Sequence, residues 1–192
     1  RDLHLSIRRQ RQRCIRDSSY SDDSWFGYDH SFKYNPDGRS GGHREAKYIA
    51  LQLNHMITQK LFYELKFSSV TNNYGSYLFE NPLDQRYVHD RYFDSYGPGF
   101  LTGGQSKDHT IRNMIDQTLK LDATWQVNHT HSIKTGLHYF NHELDNRWHT
   151  IRNKYHNTAN DSVYAPEIFG DLSAYADIYT VSPKEVAFYL QD

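Results

Sequence analysis

The chain has 192 residues, with 22 Lys and Arg against 23 Asp and Glu and a formal net charge of -1. A balance so close to neutral gives no bulk field that would draw the protein to nucleic acid, and no acidic tail marks a basic partner. Mean hydropathy is low for a packed soluble core, yet aromatic residues reach 15%; disordered chains are poor in aromatics, so disorder does not account for the composition.

A barrel that is polar inside, apolar outside and ringed by aromatics has such a composition. Cys14 is the sole cysteine, which excludes an internal disulfide and any cysteine-based metal site. No run of about 18 apolar residues occurs, so no transmembrane helix is expected. The chain starts at Arg1 without a Met and stops inside the alternating run Val186–Asp192. The expectation is a segment of a longer protein.

Residues 1–24 are expected to form a poorly defined basic and polar segment. Arg8–Arg13 is basic, and Ser18–Ser24 is Ser/Asp-rich. An unstructured end, or residues foreign to the reading frame, is weighed above a basic arm for nucleic acid or anionic lipid. Residues 25–192 are expected to form one partial β-barrel domain. Within it, Asn35-Pro-Asp-Gly38 and Gly41-Gly42 carry turn chemistry.

From Lys47 onward the pattern alternates with period two, which puts successive side chains on opposite faces of a strand. Strands are expected at about 45–57, 61–70, 114–127, 132–144 and 184–192. The clearest run places Ile115, Leu119, Leu121, Ala123, Trp125 and Val127 on one face, and Asp116, Thr118, Lys120, Asp122 and Thr124 on the other. Runs of roughly 10–13 residues exceed the usual globular strand of about 5–6 and suit a tilted strand of about 9–11 that crosses a bilayer. The connections alternate as well. Short turns fall near 58–60 and 128–132, and long loops near 71–113 and 145–183. Loops of about 40 residues are rare in compact domains, whereas outer-membrane barrels join short periplasmic turns to long extracellular loops.

The fold class expected is therefore all-β, an antiparallel meander of long strands that forms part of a transmembrane barrel and is open as a fragment. The residues expected to face lipid are Leu51, Leu53, Leu65, Phe67, Leu119, Leu121, Trp125, Leu137 and Tyr139. Phe62, Tyr63 and Trp125, near the short turns, would supply an aromatic girdle. No catalytic, cofactor-binding or metal-binding residues are expected, and the chain is not read as an enzyme. His142-Glu-Leu-Asp-Asn146 misses the zinc-protease pattern because Asn146 stands where the second His belongs. His129 with His131, and His138 with His142, share parity, for which solvated side chains are the simpler account. Asn128-His-Thr130 and Asn160-Asp-Ser162 fit the glycosylation pattern, without meaning in a bacterial protein.

Three stretches resemble the TonB-dependent receptors of the bacterial outer membrane. Thr135-Gly-Leu-His-Tyr-Phe-Asn-His-Glu-Leu144 looks like a receptor strand in which a Gly and alternating aromatics lead to an extracellular loop. Val186-Ala-Phe-Tyr-Leu-Gln-Asp192 resembles the start of the next strand. Thr118–Val127 into Ser132–Gly136 resembles a periplasmic hairpin. The resemblance covers about residues 45–192 and leaves out 1–24. It implies active uptake of a scarce ligand across the outer membrane, through a 22-stranded barrel with an N-terminal plug. Four strands and the start of a fifth would lie in this chain. The partners implied are outer-membrane lipid, the energy-coupling protein TonB acting through an N-terminal part, and an unknown small ligand captured by loops 71–113 and 145–183; no nucleic acid and no cofactor are implied. The alternatives are a passive porin-type barrel and a secreted carbohydrate-binding β-sandwich.

Overall fold

Two tight turns organise the chain. Gln59-Lys60 and residues 127–131 each reverse a long strand onto its neighbour, and register then runs along the whole ladder. In a computed structural model, which describes residues 12–93, 95, 96 and 99–192, the strands are β1 (Gln12–Trp25), β2 (Gly41–Thr58), β3 (Leu61–Tyr77), β4 (Ser95–Tyr96), β5 (Phe100–Leu101), β6 (Asp108–Gln126), β7 (Ser132–Thr150), β8 (Arg152–Asn153), β9 (Pro166–Glu167), β10 (Ala176–Val181) and β11 (Lys184–Gln191). Helical structure among the described residues is limited to 3-10 turns at His30–Phe32, Pro36–Gly38 and Asp90–Tyr92. Among the described residues no helix is long and apolar enough to cross a membrane, which says nothing of crossing by strands.

The main sheet is an antiparallel meander, β1-β2-β3-β6-β7, and it is open. The far side of β7 is shared: β10 pairs with 144–149 and β11 with 134–141. Both follow one register, so they are a single strand interrupted at Ser182-Pro183. Pro183 has no N–H to give to the ladder, but its carbonyl still accepts from His142 N at 3.0 Å. The sheet thus has six strand positions, more than the four and a fraction expected from sequence. The remaining pairs, β4-β5 and β8-β9, are two-residue ladders inside the loops.

Several expected boundaries move. β2, β3, β6 and β7 run 17–19 residues and extend past the expected limits toward the long connections. The expected loops 71–113 and 145–183 accordingly shrink to 78–107 and 151–175. Residues 1–24 also need correction: from Gln12 onward the segment is β1, paired rung by rung with β2 from Gln12↔His55 to Trp25↔Gly42. Its Ser, Asp and Arg residues do not alternate with apolar ones, and Arg16 stands opposite Leu51 on the otherwise apolar face. The basic residues before Gln12 lie outside the described part.

Direct partners in an antiparallel ladder share a face. Leu51, Phe67, Leu119, Tyr139 and Val186 form one row across five strands, and Leu53, Leu65, Leu121, Leu137 and Phe188 form the next. Trp125 lies on the same face, opposite Leu61 and Ile133. All nine residues expected to face lipid therefore share one face. On that face, residues 51–57, 61–67, 119–125, 133–139 and 186–190 present no Asp, Glu, Lys or Arg.

The charges of these spans occupy the opposite face. Lys66 pairs with Glu64 at 2.9 Å and Lys120 with Asp122 at 3.1 Å. Gln52 donates to Glu64, and the Tyr189 hydroxyl donates to Asp122 at 2.8 Å. Among the described residues nothing packs over either face of this half of the sheet. Leu51, Leu119, Leu121, Trp125 and Leu137 stay 40–50% exposed, and Val186, Phe188 and Leu190 more so. The buried apolar side chains, Phe32, Tyr87, Leu101, Ile151 and Ala176, all lie at the loop end.

Aromatic rings fill gaps that glycines leave in the ladder. Gly136 stands between Asp122 and Tyr189, and an added Cβ would overlap the Tyr189 ring and lie 2.6 Å from Asp122 Oδ1. Gly42 is covered in the same way by Trp25, with 2.5 Å from a Cβ to the indole. Gly136→Val should destabilise the sheet by about 1–3 kcal/mol through overpacking. Combined with Tyr189→Ala it should cost less than the sum of the two single changes. Urea unfolding of the chain and its three variants, refolded in detergent micelles, measures this; strict additivity would remove the ring from the account.

Candidate functional site

The three long connections, 26–40, 78–107 and 151–175, leave the sheet from the same end, because every short turn lies at the other. They pack on one another rather than extending separately. Connection 78–107 folds on Tyr87, which is 2% exposed, meets Phe79 edge-on at 4.9 Å and accepts from Phe79 N at 3.4 Å. At its tip the Asp84 carboxylate accepts from Arg86 Nε at 3.0 Å, Nη2 at 2.8 Å and the backbone N at 2.8 Å. These bonds hold its pKa down to about 2. The Gln105 side chain ties the two arms of the loop by accepting from Val88 N at 2.8 Å and donating to Arg86 O at 3.1 Å.

Connection 26–40 braces that loop from the side. Ser106 N donates to Gly38 O at 2.6 Å, Asn35 Nδ2 to Gly104 O at 2.7 Å, and Phe32 meets Phe93 edge-on. Connection 151–175 is built on Asn153, 3% exposed. Its Oδ1 accepts from Ala165 N at 3.0 Å, and its Nδ2 donates to Val163 O at 3.1 Å.

Lys107 joins these parts. It is the last residue before β6, and its side chain is 13% exposed. The ammonium donates to Val88 O and, at 2.9 Å, to the Tyr164 hydroxyl. It lies 5.1 Å from the Tyr87 ring centre and 4.3 Å from that of Tyr164, within cation–π range. Its backbone carbonyl accepts from Ile151 N at 2.8 Å. Burial pulls its pKa down to about 8, and the Asp90 carboxylate 3.9 Å away offsets only part of that. His89 makes a second link. Its Nδ1 accepts from Arg91 N at 3.0 Å, so Nε2 carries the proton and donates to Asp161 O at 2.5 Å.

Two clefts flank this wall. One, of ≈ 610 Å³, opens between 83–92 and 162–166. The other, of ≈ 490 Å³, lies under Phe32 and Phe93 and reaches Asp108, Thr150 and Arg152. Ligand capture by the loops was expected only in general terms. Trp148, within the stretch 145–183 expected to be loop, lies on β7 opposite Thr110 and Asp177. The histidines noted in the sequence are dispersed: His131 pairs with Asp192 at 2.7 Å, His142 with Asp116 at 2.8 Å, and His138 and His142 flank Phe140. No group of three His, Cys, Asp or Glu that could hold a metal comes together among the described residues. Lys107 and Tyr164 left no sequence signal, because a lone Lys and a lone Tyr in irregular chain look like any other surface pair.

No known protein family, curated protein or solved structure matches the chain.

Lys107 makes the cap pH-dependent, with a definite sign. Between pH 8 and 10.5 the unfolded chain holds a proton that the folded chain has released, so folding gains stability as pH rises through this window, by an amount on the order of 3 kcal/mol. Burial raises the Tyr164 pKa, so Tyr164 acts oppositely above about pH 10. Amide exchange in 78–107 and 151–175, compared between wild type and Lys107→Met at each pH, cancels the intrinsic rate. Wild-type protection should rise relative to the variant from pH 8 to 10, and a constant ratio would exclude the buried amine as the cause.

Proposed function

We propose that the chain is a stretch of wall, with its outward loops, from an outer-membrane β-barrel that takes up a scarce ligand in the manner of the TonB-dependent receptors. The observation that carries the reading is the division between faces. A band without Asp, Glu, Lys or Arg crosses five of the six strand positions on one side, the paired charges lie on the other, and among the described residues no layer covers either. Half-exposed Leu and Phe side chains in such rows would each gain on the order of 1 kcal/mol on leaving water, which lipid provides without a second protein layer.

The band measures about 20 Å along the strands, close to the apolar height of about 25 Å in outer-membrane barrels. Trp125, near its turn-end border, suits the interface, where aromatic rings concentrate. Beyond the band the strands continue for several rungs that mix polar and apolar residues on both faces, and the packed loop cap follows. This order of lipid zone, wet wall and capping loops suits a receptor that captures its ligand outside. TonB would act through an N-terminal part of the full protein. The open edges at β1 and at β10-β11 would pair with further wall strands, since lipid cannot satisfy bare N–H and C=O groups.

A passive porin-type barrel shares the wall, and the packed cap favours the receptor over it. A secreted β-sandwich requires a second sheet on the apolar face, and among the described residues none is present. Two measurements test the membrane reading. In brominated-lipid vesicles, Trp125 should be quenched strongly and Trp25 and Trp148 weakly, read in single-Trp variants. Leu119→Arg should cost about 2–4 kcal/mol in lipid, whereas Thr118→Arg on the other face should cost less than 1 kcal/mol. Equal quenching of the three tryptophans, or a soluble monomer that unfolds cooperatively in plain buffer, would overturn the reading.

A further inference from the structure

The ≈ 610 Å³ cleft between 83–92 and 162–166 has a size common among small-molecule sites, roughly 300–1,000 Å³. Among the described residues its lining holds one arginine and no carboxylate. Three tyrosines, Tyr87, Tyr92 and Tyr164, and the ring of Pro166 supply flat apolar surface, while Gln85 and Ser162 supply uncharged polar groups.

Arg91 sets the charge. Its guanidinium lies 5.1 Å from the Tyr92 ring centre and donates to the Tyr92 hydroxyl at 3.4 Å. It forms no ion pair with a described acid, although Asp90 is its neighbour in sequence; Asp90 lies 3.9 Å from Lys107 instead. Arg86 is different, since its fork is already filled by Asp84. The walls of the cleft are joined beneath it by two links: Lys107 to Tyr164, and His89 to Asp161. The cleft is thus held open before anything enters, which lowers the ordering cost of binding. Tyr164 accepts from Lys107 and keeps its own proton to donate.

We propose that this cleft binds a small organic anion with a flat apolar body, the carboxylate or phosphate on Arg91 and the body against the tyrosine walls. A planar guanidinium takes either anion through two parallel hydrogen bonds, and its bond to the Tyr92 hydroxyl holds it beside that ring. A neutral sugar is a poorer match, because the cleft offers no carboxylate to accept from its hydroxyl groups. The proposal deepens the receptor reading and rests on it for the direction in which the cleft opens.

The test uses the 192-residue chain refolded in detergent micelles and two probes of one shape, 2-naphthoate and 2-naphthamide, followed by saturation-transfer NMR and calorimetry. Naphthoate should bind at least tenfold more tightly than the amide. Arg91→Gln should remove that difference. Ser162→Trp, at the exposed rim, should block both probes by filling the cleft, with the circular dichroism of both variants that of wild type. Equal affinity for the two probes, naphthoate binding that survives Arg91→Gln or Ser162→Trp, or maltose binding more tightly than naphthoate would each overturn the proposal. The tryptophan quenching in lipid reports on the membrane reading alone, so the two can fail separately.

Discussion

A sheet one layer thick must find a surrounding for each of its faces, and every other feature of this molecule follows from how that is met. The turn-end half carries no internal cover. Its stability therefore comes from the ladder itself, an antiparallel meander in which the only register shift among the described residues lies between Met56 and Thr58 beside the first turn. One-residue slips would exchange the Leu rows with the Lys and Glu rows. The strict separation of the two sets is what pins the register, more than the propensity of any single residue.

The loop end meets the same requirement in another way. There neither strand face is apolar, and burial moves into the connections, where Tyr87, Ile151 and Asn153 take the place a core would have in a globular domain. Two kinds of interior are joined in one chain. The first is expected to be supplied by the surroundings, and the second is made by the loops themselves. Lys107, buried among rings and carbonyls, stands at the join.

The first kind was legible in the sequence and the second was not. Leu119, Leu121 and Trp125 against Lys120, Asp122 and Thr124 give an alternation that only a strand with unlike faces explains, and all nine residues assigned to the apolar face fall on it. The outer halves of the same strands, such as Asp108–Asn113 and Thr71–Tyr77, were read as loop because alternation fades where both faces are wet. β1 was missed because its polar residues do not alternate with apolar ones. The short strand β10 was hidden by Pro183, which marks a break in sequence while the ladder passes it with one missing donor. The loop cap depends on contacts between residues more than fifty positions apart, such as Lys107 with Tyr164, and local pattern carries no trace of them.

The backbone bond from Ile151 to Lys107 has a mechanical meaning. It joins the residue just before β6 to the residue just after β7, at the last rung of the longest hairpin, where Asp108 faces Thr150. The hairpin is thus tied at both ends: by its turn at 127–131 and by this clasp under the cap. A load applied to the loops is carried along nineteen rungs in shear instead of peeling them one at a time. The loops are therefore coupled stiffly to the sheet, and a pull on the cap moves the hairpin as a single lath.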